Sequence, residues 1–216
     1  MKNRICRRLG GGAIAFVLAV PMVHAADITL NETGSTLLFP LFQSWIAGYK
    51  SVAPNIDLSA AATGSGAGEK AALAANPYSI GYVGISYGGA IAKAGLGTAM
   101  VENQNGKFLL PTPESIADAA AQLDPRTPPY ERISLVYAPG DNSYPLINYE
   151  YAVVSKAQPN AATADALRSF LLWSISETGG NAESYLKPVG FIPLPDFIRG
   201  MSQAQIKEIT AKSSTD

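Results

Sequence analysis

An α/β layered domain is the fold class the sequence predicts, and three observations predict it. A strand, a tight small-residue turn and a helix follow one another twice, over 27–49 and over 56–75. Beyond residue 79, runs rich in Ile, Tyr and Val alternate with runs whose apolar residues recur at helical spacing. Hydrophobic residues make up 47% of the chain and charged ones 15%, enough apolar content for a core and too little charge for disorder.

Taken in order, 27–30 reads as a short strand. Leu38, Leu41, Phe42, Trp45, Ile46 and Tyr49 then fall on one helical face behind Thr36. Residues 56–61 form a second strand, and 69–75 continue from a glycine-rich turn as an alanine-rich helix that Asn76-Pro77 stops. The run 79–86, with Ile80, Tyr82, Val83 and Ile85, predicts a third strand, mostly buried. Asn103-Gln-Asn-Gly106 is a turn between 98–102 and 107–110. Thr112 with Glu114 opens a helix to about 123, with Pro113 in its first turn. A proline-rich connector at 125–130 leads to two further strands, 133–137 and 146–155. Asn160 or Thr163 caps a helix to about 177 that Gly179-Gly180 ends. A short helix at 181–186, an irregular stretch at 188–195 and a last helix at 203–211 complete the reading.

The first 25 residues have the layout of a secretory signal: Lys2, Arg4, Arg7 and Arg8, then a small apolar run over 10–20, then Val23-His24-Ala25. The apolar run is too short to span a bilayer comfortably, so no stable membrane insertion is expected once it is cleaved. Cleavage would remove the only cysteine, Cys6, and the only histidine, His24. Thiol catalysis, Ser-His-Asp triads and zinc sites with the usual ligands are then excluded, and no metal, cofactor or enzymatic activity is expected. The four basic residues leave too, taking the formal net charge from −1 to −5 and disfavouring nucleic acid as a partner. The remaining 191 of 216 residues suit one domain, 26–216.

Two strings carry the most chemistry: Thr33-Gly-Ser-Thr-Leu37 and Thr63-Gly-Ser-Gly-Ala-Gly68. Each puts hydroxyls and glycine where a strand gives way to a helix, so that unpaired N–H groups and the positive end of the helix dipole face outward. Ser/Thr/Gly at such junctions also serve as ordinary caps, but two of them side by side would make half of an oxyanion cage. Tyr137, Tyr144, Tyr149 and Tyr151 read as sheet packing rather than a sugar platform. No spacing brings Asp141, Glu150 and Asp196 together as a carboxylate pair, and no calcium loop is present in the sequence.

Gly34-Ser-Thr-Leu-Leu-Phe-Pro40, Gly64-Ser-Gly-Ala-Gly68, Ile80-Gly-Tyr-Val-Gly-Ile-Ser86, Tyr144-Pro-Leu-Ile-Asn-Tyr-Glu-Tyr-Ala-Val-Val154 and Phe170-Leu-Leu-Trp173 occur in the order found in PstS-type phosphate-binding proteins. The chain resembles that family, most closely its mycobacterial-type members. The resemblance implies a periplasmic-binding-protein-like fold of type II, with a mixed sheet flanked by helices. It also implies an extracytoplasmic, periplasmic receptor that presents inorganic phosphate to the permease subunits of an ABC transporter. Carried over by position, Ser35, Thr36 and the Leu37 N–H match the first phosphate-contacting turn, and Ser65 matches the hydroxyl of the second. Between 68 and 80 the family carries essentially its whole second lobe, whereas this chain has eleven residues there. The aspartate, arginine and facing turn of that lobe have no counterpart. The expected architecture is therefore a single lobe built from 26–75 and 79–210, with 79–86 replacing its lost third strand. Phosphate held on one face stays hydrated on the other, so affinity of about 1 mM or weaker is expected. The competing expectation is a non-binding remnant or an interaction protein that keeps one lobe, and a further one is a lobe that closes its site against another chain.

Overall fold

The computed structural model describes residues 28–34, 36–62 and 66–212. The signal-like segment 1–25 lies outside them. Strand β1 (Ile28–Gly34) and strand β2 (Ile56–Ala62) pair in parallel, from Ile28 opposite Ile56 to Gly34 opposite Ala62. Helix α1 (Phe39–Val52) makes the crossover, with Pro40 in its first turn, where the missing N–H costs nothing. Helix α2 (Gly66–Ala75) follows β2.

One aromatic core fastens this unit. Tyr49 from α1 and Ile56 from β2 are buried with Phe170 and Ala166 of α5 (Ala161–Ser174). Phe170 meets Tyr49 at 5.2 Å and Phe42 at 6.0 Å between ring centroids, in the tilted and edge-on arrangements that aromatic pairs favour. Trp45 of α1 donates its indole N–H to the Gly180 carbonyl at 2.9 Å, just past the end of α5. A Cβ on Gly180 would stand 2.6 Å from the Ser174 carbonyl oxygen, so the close approach requires glycine there.

A second core lies around α4 (Pro113–Leu123) and the antiparallel hairpin of β3 (Val101–Glu102) and β4 (Phe108–Leu109), with Ala119, Leu135, Ala138, Tyr144 and Ile147 buried. The hairpin turn and the start of α4 match the sequence reading. Gly106 takes φ 75°, and Thr112 and Ser115 cap each other's backbone in a capping box. In α5 the cap is Asn160, whose Oδ1 accepts from the Thr163 amide at 2.8 Å. Past the short helices α3 (Gly88–Lys93) and α6 (Glu183–Leu186), α7 (Asp196–Ile206) closes a third cluster through Ile206 against Ala164 and Ile209. The last pairing is parallel, β5 (Ala157–Gln158) with β6 (Thr210–Ala211).

Four expectations are corrected. The run 79–86 is not a third strand of the central sheet. Pro77 is followed by Tyr78 at φ 64°, Ile80 and Tyr82 stand exposed at 95% and 86%, and 85–87 coil into a 3-10 turn. Residues 133–137 and 146–155 lie near each other without forming a ladder, because side chains intercept the amides. Asn148 Oδ1 accepts from the Leu135 N–H at 3.2 Å, and Glu131 and Tyr137 break the extension at φ 56° and 57°. The single mixed sheet is, among the described residues, three separate two-stranded sheets. The last helix begins seven residues earlier than 203, directly after Pro195, and ends at Ile206, because 210–211 are taken by β6.

Candidate anion site at the end of the parallel pair

Parallel register decides what the first two turns can do together. Gly34 and Ala62 are partners, so β1 and β2 end side by side, and the chain leaves both ends toward a helix start, 35–38 into α1 and 63–65 into α2. Had the strands paired antiparallel, the two turns would lie at opposite ends of the sheet.

Of the four expected site residues, Thr36 and Leu37 lie in the turn entering α1, whereas Ser35 and Ser65 lie outside the described residues. Helix α1 has no acidic residue in its first turn, and its first residue is preceded by Leu38, which offers no side-chain cap. The helix dipole is thus not neutralised by a carboxylate within its own first turn. The Phe42 N–H donates to the Leu38 carbonyl at 2.9 Å, the first bond of the helical ladder.

The run misread as a strand supports this turn from outside. A Cβ on Gly84 would collide with Leu37 Cδ1, so any larger residue there would make the Leu37 side chain move. The Tyr87 hydroxyl donates to the Thr36 carbonyl at 3.4 Å, and the Ser86 Oγ is buried with no hydrogen-bond partner. Sequence reasoning missed Gly84 and Ser86 because it assigned them to a strand, and Tyr87 lies one residue past that strand's expected end. The Gly-Ile-Ser-Tyr string held the signal, in its glycine and two hydroxyls.

One carboxylate opposes an anion. Glu32 Oε1 lies 3.2 Å from the point where a Gly34 Cβ would stand, and burial raises its carboxyl above the usual range. Among the described residues no group of His, Cys, Asp and Glu is arranged to hold a metal ion. No described helix is long and apolar enough to cross a membrane.

No protein-family model matches the chain. The phosphate-binding protein PstS of Methanocaldococcus jannaschii is 30% identical over 195 residues, an alignment that takes in 81% of this chain and 48% of the relative. Over most of its own length the chain is similar to that PstS protein. It spans about half the length of the PstS protein it matches. That relative is a binding protein by name, and the mixed α/β architecture with small sheets is compatible with its class of fold.

Proposed function

We propose that the chain is an extracytoplasmic phosphate-binding component of an ABC import system, exported by the signal at 1–25 and built as one type II lobe from 26–75 and 79–210, of mycobacterial type. Phosphate would sit against Ser35, Thr36, the Leu37 N–H and Ser65. A dianion has acceptor oxygens and these groups are donors, so no cation is required to hold it. The observation that carries the reading is the parallel register, with Gly34 opposite Ala62. The similarity to a PstS phosphate-binding protein supports phosphate as the ligand.

Isothermal titration with phosphate tests it, with sulfate as control and Ser65→Ala and Glu32→Gln as variants. Heat that Ser65→Ala abolishes and Glu32→Gln strengthens is the expected result. The gain expected from removing the carboxylate is about 5-fold, on the order of 1 kcal/mol for a like charge screened by water. No phosphate heat from a folded sample overturns ligand binding and favours the second reading, an interaction protein that keeps one lobe without capturing phosphate. The observation favouring that reading is the exposed apolar run Tyr78, Ile80 and Tyr82.

A further inference from the structure

A cleft of about 1520 Å³ opens beside β1. Its lining shows which part of each wall faces it. Strand β1 contributes five consecutive residues, 30–34, and the opposite wall contributes seven, 148–154. Side chains of an extended chain alternate between two faces, so a sheet face would line a cavity with every second residue only. Consecutive lining means that both segments meet the cleft edge-on. Strand β1 pairs along one edge with β2, whose Leu58 and Ser59 also line the cleft, and no described strand pairs with its other edge.

The opposite segment has the composition of a strand without the pairing of one. Residues 151–155 belong to no regular element, and they expose apolar side chains, with Val153 at 93% and Tyr151 and Val154 also exposed. Both ends are anchored. Upstream, the Tyr149 hydroxyl donates to Asp124, and the Tyr151 hydroxyl donates to the carbonyls of Glu131 at 2.9 Å and Ile133 at 3.0 Å. Downstream, the Thr210 N–H donates to the Lys156 carbonyl at 2.8 Å, where β5 meets β6. A short β-prone span between two fixed points thus faces an open β edge across an apolar gap lined by Leu30, Phe42, Trp45 and Phe170.

We propose that residues 151–154 are a strap that closes edge-on onto β1 as a third strand, converting the open cleft into a covered core. Closure pairs the backbone of both segments and takes Val153 and Val154 out of water, the two liabilities of the open state. Gly34, the last residue of β1, lines the same cleft, so closure onto β1 would end at the strand terminus from which α1 is entered. The inference rests on the cleft and not on the ligand.

Residue-resolved amide exchange on the full chain tests it. The amides of β1 alternate between β2 and the cleft, so closure is expected to protect the cleft-facing set together with 151–154, slowing both about 100-fold or more against unstructured peptide. In Val153→Pro, which removes a donor and fixes φ, that protection disappears from both segments while the β2-facing amides keep theirs. Exchange of 151–154 at the unstructured rate in the wild-type chain overturns the proposal, and this comparison suffices if the variant fails to fold. Protection that rises with protein concentration also overturns it, because it would assign the edge to a second copy of the chain.

Discussion

The hairpin half of the molecule and the half around β1 and β2 solve the same problem differently. Around α4, polar groups close on partners near in sequence or on one compact loop. Asn103 accepts from the amides of Asn105 and Lys107 at 3.0 and 2.9 Å and donates to the carbonyls of Gly140 and Asp141, each at 3.0 Å. The β1–β2 pair depends instead on α5, more than a hundred residues away, and keeps an open edge beside a cleft. Short-range capping completes a unit by itself. A parallel pair must borrow its cover, because its crossover helix shields one face and never the edge.

Phe170→Ala is the strongest way to break the contrast. Phe170 is 4% exposed and packs on Phe42, Tyr49 and Trp173. Its truncation is expected to cost ~3–5 kcal/mol in urea unfolding. Amide exchange should rise in β1 and β2 and stay unchanged in β3 and β4. Equal rises in both halves would show that they share one cooperative core.

Asn103→Ala attacks the other side of the comparison, and ~1–3 kcal/mol is expected from leaving buried backbone groups without partners. The loss should appear as faster exchange at 103–107 and 140–143, with β1 unaffected.

Tyr149→Phe sharpens the boundary, since Tyr149 packs beside the hairpin-side core and also lines the cleft. Removing its hydroxyl strips the buried Asp124 of a donor, and the expected cost is about 1–2 kcal/mol at neutral pH. Burial first, and the Asp124 carboxylate second, push the Tyr149 phenol far above its ordinary range. The folded state therefore holds this proton where the unfolded chain releases it, and stability falls as pH rises above about 10. Alkaline unfolding curves should be flatter for Tyr149→Phe than for the wild-type chain.

Legibility followed the range of the interactions. Thr112 with Pro113 announced α4, Asn103 and Gly106 announced the hairpin, and Asn160 announced α5, because each is satisfied within a few residues. The run 79–86 and the pair 133–137 and 146–155 had the apolar pattern of strands, yet pattern alone does not supply a partner edge. Tyr78 turned the first away, and Asn148 took an amide that a ladder would have used. Within the candidate site, the hydroxyl-rich turns were visible in the sequence, while the contacts of Gly84 and Tyr87 with Leu37 and Thr36 were not.

The sequence by itself determined the helices with caps, the hairpin, the double strand–turn–helix pattern and the placing of small donors at two strand ends. All of these are set by φ preferences, hydroxyl donors and apolar spacing along a few residues. Tertiary structure alone decided that β1 and β2 pair in parallel and end together, that 84–87 brace the first turn, and that a β-prone strap faces an open edge. Those outcomes depend on which distant surfaces meet, and the cost of closing long loops is offset only by packing that no local segment encodes.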